Sequence, residues 1–372
     1  MKDKVLHGNS LDVLRTMENK SVDCIITSPP YYQLRKYSGI PDYIWDAKDN
    51  CEHEFELQKT NLMHENRNNI TGSQETAIES ESGTVHIHKY NDYKTGFCSK
   101  CGAWKGQLGL EPTYELYLNH LWQIFDECYR VLKDEGTLWV NLGDTYGAQS
   151  GAMRDGKFGK KNTNNQQFIQ PKLNHKCLLL IPHRFAIGMI DRNWILRNDI
   201  IWAKRNGMPE SVTDRFSKKH EFIFLFVKQS KYYFDLDGVR DKLKNPVMIR
   251  NKASEEYGRG SGSKQFSEGY RIWGDEQLGR NPGDVSDFWD VPTKPNSVKH
   301  YATYNNDLIN KPIIAGCPEG GIVLDPFAGS GTTLLTALSL NREAIGIEGS
   351  EEYCKIANDR INEFLGLFKE VI

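Results

Sequence analysis

Along this chain of 372 residues, apolar positions come in short runs divided by polar turns. Val5 and Leu6 lead into His7-Gly8-Asn9-Ser10, after which Leu11, Leu14 and Met17 recur at helical spacing. Ser21 to Thr27 is the next apolar run. Strand, helix and strand in succession predict a parallel α/β sheet. From Gln33 to Lys105 the periodicity disappears into a polar stretch too long for an ordinary loop, which predicts a partly flexible insertion. Regular pattern resumes at Thr113. Leu116, Leu118, Leu121, Ile124, Phe125, Val131 and Leu132 predict a helix, Asp134-Glu135-Gly136 a turn, and Thr137 to Leu142 a strand. Gly147 to Gln170 reads as a mobile loop. A helix is expected over Pro182 to Asp191, with strands over Leu196 to Lys204 and Glu221 to Lys228. Phe234 to Asp290 is polar, basic and glycine-rich, without a period. Alternation returns in strand Ile322 to Leu324, helix Thr332 to Leu340 and strand Glu343 to Ile347. The chain thus divides into a sheet-forming unit (1–32, 107–233 and 298–372), an insertion (33–106) and a loop-rich recognition region (234–297).

Composition adds a class and an asymmetry. Charged residues make up 26% and hydrophobic ones 38%, as in globular proteins. No apolar run is long enough to cross a bilayer, and Met1-Lys2-Asp3-Lys4 opens without a signal-peptide core, so a cytoplasmic protein with no membrane partner is expected. The net charge is -2, yet residues 151–300 hold 27 Lys and Arg against 17 Asp and Glu. Aromatics such as Trp202, Phe216, Tyr232 and Tyr257 are interleaved with these cations, a pattern suited to phosphates and bases. Arg205, Arg215, Lys218 and Lys219 are candidate contacts. Eight cysteines in this setting argue against a disulfide framework. Cys24, Cys128, Cys177 and Cys354 read as small core residues.

Two strand ends carry the chemistry. After Thr27 the chain enters Ser28-Pro29-Pro30-Tyr31, where two prolines stop the strand and remove two backbone donors. Carbonyl acceptors, the Ser28 hydroxyl and a flat Tyr31 ring then suit a planar aromatic amine, such as a base drawn out of a helix. Toward the other end, Asp325-Pro326-Phe327-Ala328-Gly329-Ser330-Gly331-Thr332-Thr333 turns from strand into helix. Its glycines permit close backbone approach, and the helix start supplies donors. A structural strand-turn-helix would share that pattern. Glu348, closing the next strand, adds a carboxylate placed to accept both hydroxyls of a ribose. No lysine follows the glycines, which disfavours a phosphate-cradling loop.

Together these motifs resemble those of the amino-group DNA methyltransferases that use S-adenosylmethionine. Ser28 to Tyr31 is similar to their catalytic motif, Asp325 to Thr333 to their cofactor motif, and Glu348 to their ribose acid. Asn9, Ser10, His300 and Thr303 lie in two further similar stretches, although the family more often has Asp at the position of Asn9. The resemblance implies a Rossmann-like class I fold, circularly permuted, with a mostly parallel twisted sheet and helices on both faces. Catalytic motif first, recognition region in the middle and cofactor motif last is the arrangement of the β class. It further implies double-stranded DNA as substrate, a flipped base, and a partner restriction endonuclease acting on the same site. A motif beginning with Ser favours N4 of cytosine, with N6 of adenine as the alternative. The remaining rivals are an RNA or protein-amine methyltransferase, and a non-catalytic DNA-binding module that keeps the fold.

Cys51-Glu52-His53 and Cys98-Ser99-Lys100-Cys101-Gly102 flank the polar insertion. Cys51, His53, Cys98 and Cys101 could supply four tetrahedral ligands to a structural zinc, with His64, His86 or His88 as substitutes for His53.

Overall fold

The computed structural model describes residues 2–55, 96–147, 176–207, 209–242, 285–293 and 306–369, with short strand segments at 58–59, 75–79, 85–89, 92–93 and 280–281. The N-terminal pattern becomes β1 (Lys4–His7), α1 (Ser10–Thr16) and β2 (Val22–Thr27). The insertion carries β3 (Tyr43–Trp45), β4 (Gln58–Lys59), β5 (Glu75–Glu79), β6 (Val85–Lys89), β7 (Asp92–Tyr93), β8 (Gly96–Phe97) and β9 (Trp104–Gly106). Then come α2 (Tyr114–Val131), β10 (Leu132–Leu142), α3 (Ile181–Ile190), β11 (Ile195–Ala203) and β12 (His220–Val227). A short pair, β13 (Asp241–Lys242) and β14 (Arg280–Asn281), precedes β15 (Phe288–Asp290). The chain closes with α4 (Asn306–Gly316), β16 (Ile322–Asp325), α5 (Thr332–Ser339), β17 (Glu343–Glu348) and α6 (Glu351–Lys369).

One eight-stranded sheet runs in the order β1-β17-β16-β2-β10-β12-β11-β15. The five strands from β1 to β10 are mutually parallel, and β12 is antiparallel to both of its neighbours. The two ends of the chain are interleaved in it, so the amide of Val5 donates to Asn358 Oδ1 at 2.9 Å. The sheet is covered on both faces, as its apolar strands require. Val22, Ile25, Leu138 and Leu324 join one core with α1, α2 and α3, while Cys24, Ile26, Trp139 and Val323 join a second beneath α4, α5 and α6. Among the described residues no helix is long and apolar enough to cross a membrane.

Helix starts are chemically defined. Asn9 Oδ1 accepts from the amide of Leu11 at 2.9 Å, and Thr113 Oγ1 from that of Leu116 at 3.2 Å, satisfying donors that a first turn leaves open. Arg130, from the last turn of α2, donates to the carbonyls of Leu14 and Met17 and so closes the C-terminal end of α1.

Several expectations change. Asp134-Glu135-Gly136 is not a turn: β10 begins at Leu132 and accommodates these residues as an irregularity before Thr137. Phe288–Asp290 leaves the recognition region and pairs with β11 at the sheet edge. Helix α4 has no counterpart in the sequence reading, because Pro312 lies inside it. Cys177 is half-buried, not the core residue its surroundings suggested. Most of the 147–170 loop and of the 234–297 region lies outside the described residues.

The root of the insertion is a three-stranded sheet, β3-β9-β8. The ring of His120 on α2 stacks with both Trp45 and Trp104, at 4.4 and 5.6 Å between centroids. Its Nδ1 meets Glu111 Oε1 at 2.9 Å and its Nε2 meets Asp46 Oδ2 at 3.2 Å. Burial raises the Glu111 carboxyl above its ordinary range, and His120 opposes that rise. Replacing His120 with Ala leaves Glu111 Oε1 buried without its hydrogen-bond partner while Oε2 keeps the Gly109 amide, so His120→Ala is expected to cost about 2 kcal/mol of unfolding free energy. Urea denaturation monitored by tryptophan fluorescence measures this.

Candidate active site

β2 and β16 are parallel neighbours, Cys24 opposite Val323 and Ile25 opposite Leu324, so their carboxyl ends open on one edge of the sheet. There the two motifs bond to each other. Thr27 Oγ1 donates to Asp325 Oδ1 at 2.6 Å. The same oxygen accepts from the amide of Phe327 at 3.0 Å, and Oδ2 accepts from the Thr333 hydroxyl at 2.6 Å. Asp325 is 1% exposed. Both of its oxygens are engaged within the protein, which fixes the turn, and the residue also lines the neighbouring cavity.

A cavity of about 250 Å³ opens beside these turns. Asn9 and Ser10 line it from the first strand end, Asp325, Phe327, Gly329, Thr332 and Thr333 from the glycine turn, and Ser28 and Pro30 from the Pro-Pro turn. Ser10 Oγ donates to the Pro326 carbonyl at 2.6 Å, clamping α1 to the turn. Pro29, Tyr31, Ser330 and Gly331 do not line the cavity. Gly331 shapes the turn from behind: its φ is +81°, and a Cβ there would lie 3.1 Å from the Ala357 methyl.

Glu348 borders the cavity while remaining 7% exposed. Its Oε2 accepts from the amide of Gly329 at 2.9 Å and its Oε1 from that of Ser350 at 2.8 Å. Burial raises its pKa above the ordinary carboxylate range, and these amides partly oppose the rise.

Tyr31 belongs to a polar network that the sequence reading did not include. Its hydroxyl donates to Glu221 Oε2 at 2.8 Å and lies 3.0 Å from Asn141 Oδ1. Asn141 Nδ2 donates to the Phe222 carbonyl at 3.1 Å, and Lys204 forms an ion pair with Glu221. Ser28 Oγ is 3.4 Å from Asn141 Oδ1. Burial, then the Glu221 charge, holds the Tyr31 hydroxyl well above its usual pKa, so at neutral pH it is a phenol and a donor. Tyr117 occupies the Pro30 carbonyl at 2.7 Å. The signal for Asn141 and Glu221 was present: Asn141 interrupts the apolar run Leu138 to Leu142 and Glu221 directly precedes the run Phe222 to Val227, each at the strand end nearest the site.

The sequence reading also missed the other side of the cavity, formed by Tyr37, Ile40, Asp42 and Tyr43 with Gln107 and Leu108. Gln107 holds this segment by donating to the carbonyls of Tyr37 and Ile40 and accepting from the Tyr37 amide. Gly109, at φ +93°, approaches the catalytic turn so closely that a Cβ would lie 2.9 Å from the Tyr31 carbonyl.

Comparison with known proteins decides the family. The N6/N4 DNA methylase family matches residues 22–359. The Type II methyltransferase M.Cfr9I of Citrobacter freundii is 32% identical over 361 residues, covering 96% of this chain and 87% of its own. M.XycI of Xanthomonas campestris pv. cyanopsidis is 32% identical with the same coverage. The chain belongs to the N6/N4 DNA methylases. It shares its fold with the PvuII DNA methyltransferase, named as cytosine-N4-specific, at a TM-score of 0.51 and 14% identity over 97% of this chain and 90% of that one.

In this methylase, His300 and Thr303 lie outside the described residues. Cys51, His53, Cys98 and Cys101 do converge, with their ligand atoms all within 4.8 Å of one another. The cations expected to meet phosphate cluster in the connection between β11 and β12, at the edge that carries the site. There Arg205 pairs with Asp290, Arg215 with Glu210, and Lys218 donates to the Asp144 carbonyl. Phe216, among them, is 97% exposed.

The Thr27–Asp325 bond is testable by a near-isosteric change. Thr27→Val leaves the buried carboxylate short of a donor and is expected to lower stability by about 2 kcal/mol, the scale of a hydrogen bond to a charged group. Chemical denaturation of the two proteins side by side measures the difference.

Proposed function

We propose that this DNA methylase transfers a methyl group from S-adenosylmethionine to the exocyclic N4 of a cytosine flipped out of duplex DNA, as the modification arm of a restriction–modification system. The observation that carries the reading is Ser28, which borders the cavity at the end of the strand beside Asp325. A motif beginning with Ser favours cytosine, and the Type II names of the relatives support the restriction setting.

The residues present fit the cofactor. Glu348, oriented by two backbone amides, supplies an acceptor for ribose hydroxyls. Phe327 offers an apolar face, and Asn9, Gly329, Thr332 and Thr333 complete the polar lining. S-adenosylmethionine, when bound, supplies an electrophilic methyl group.

The residues of the chain then act on the amine. A cytosine amine is a weak nucleophile because its lone pair is delocalised into the ring. Hydrogen bonds from it to Ser28 Oγ and to the Pro29 carbonyl favour a pyramidal nitrogen and localise that pair. The Tyr31 ring stacks on the flipped base, with its hydroxyl held by Glu221. The amine proton passes to solvent after transfer. Glu221 is already committed to Lys204 and Tyr31, so it orients the ring. Rate acceleration comes from positioning and desolvation, without a covalent enzyme intermediate.

Ser28→Ala should slow single-turnover methyl transfer by about 100-fold or more, the scale of losing one aligned polar group, while cofactor affinity is retained. Tyr31→Phe should retain more activity than Tyr31→Ala, since the ring survives. Mass spectrometry of nucleosides digested from treated duplex DNA should find N4-methylcytosine. Exclusive N6-methyladenine would overturn the choice of base, and full activity of Ser28→Ala would overturn the catalytic assignment.

Glu348 also sets a pH dependence. Its raised pKa means that acidification protonates it while an ordinary glutamate, near about 4.3, is still ionised. Cofactor affinity is therefore expected to be full above that raised value and to fall as the pH drops through it. Isothermal titration across pH measures the loss, and Glu348→Gln should bind weakly with a flattened profile.

A further inference from the structure

We propose that Cys51, His53, Cys98 and Cys101 bind one structural zinc ion that locks the root of the insertion and thereby the cavity wall beyond it. The four residues come from two segments separated by more than forty positions, yet their ligand atoms lie within 4.8 Å of one another. Cys51 Sγ and Cys98 Sγ are 4.0 Å apart, and Cys101 Sγ is 3.3 Å from His53 Nδ1. Zinc bonds of about 2.3 Å to sulfur and 2.0–2.1 Å to nitrogen place tetrahedral ligands roughly 3.5–3.8 Å apart. The observed separations bracket that range. A disulfide would need about 2.05 Å between sulfurs, half the distance between Cys51 Sγ and Cys98 Sγ.

The backbone is shaped for this site. The amide of Gly102 donates to the Cys98 carbonyl at 2.9 Å, and that of Cys98 to the Ala103 carbonyl at 2.7 Å. Gly102 has φ +79°, the conformation that lets the chain turn back after Cys101. The second segment is registered against this turn. The amide of Ser99 donates to the Glu54 carbonyl at 3.0 Å, and Phe55 bridges Cys98.

The consequence is positional. Cys98 follows β8, which pairs with β9, and β9 pairs with β3. Strand β9 runs directly into Gln107 and Leu108, and β3 ends at Trp45, all three lining the cavity. Four ligand bonds close the intervening chain into a loop, removing conformational freedom that this small sheet would otherwise have to offset. Zinc here is structural, since all four positions are filled by protein.

Metal analysis of the full-length protein tests the proposal independently of methyl transfer. About one zinc per chain is expected by plasma mass spectrometry after desalting. Cys98→Ser and Cys101→Ser should lose it, while His53→Cys, which preserves a four-ligand set, should keep it and remain folded. Metal removal by a strong chelator should lower the melting temperature and weaken cofactor binding, with both restored by added zinc. A folded wild-type protein that neither contains nor takes up zinc would overturn the proposal. So would full zinc retention in Cys98→Ser, or a Cys51–Cys98 disulfide found by non-reducing peptide mapping.

Discussion

The Asp325 carboxylate is the constraint on which the site depends. It stands at the end of a parallel strand beside β2, is almost fully excluded from solvent, and accepts hydrogen bonds from Thr27, Phe327 and Thr333. A buried anion of this kind is tolerated only when its lone pairs are satisfied. Satisfying them requires the catalytic strand, the glycine turn and the start of α5 to meet at one point. The chain contributes these parts from positions almost three hundred residues apart, and the carboxylate is where its two ends are joined chemically.

A second set of buried polar groups builds the opposite side of the cavity. Glu111 takes the amide of Gly109 at 2.7 Å and the ring of His120, and Gly109 in turn accepts from Gln33 just beyond the catalytic turn. Gln107 holds the segment that contains Tyr37 and Ile40. The insertion is therefore structural at its root, whatever its outer part does. The Pro-Pro turn, the glycine turn and the root of the insertion share one hydrogen-bonded frame.

Much of the fold was legible because its strands are short apolar runs closed by sharp turns. Val22 to Thr27 and Ile322 to Asp325 declared themselves by the Pro-Pro and Gly-Ser-Gly that stop them. Their adjacency was not legible from periodicity, since pairing between distant strands leaves no local trace. It followed from resemblance to permuted methyltransferases. Helix α4 was hidden by Pro312, and the Leu132 start of β10 by an Asp-Glu-Gly that resembles a turn. The site was half legible. Ser28, Phe327 and Glu348 sit at strand ends with telling neighbours and do border the cavity. Asn141, Glu221 and Lys204 act through spatial convergence of three strands, and Tyr37 to Tyr43 lie in a stretch without a period. Asp325, singled out for the cofactor, lines the cavity and is bonded to Thr27, Phe327 and Thr333.

The most direct test of the central claim is a crystal structure of the full-length protein with S-adenosylmethionine and a short cognate duplex. The account predicts the ribose on Glu348, the methyl-bearing sulfur facing Ser28, and a cytosine amine within hydrogen-bonding distance of Ser28 Oγ. A cofactor bound elsewhere, or a target base that never approaches Ser28, would contradict it.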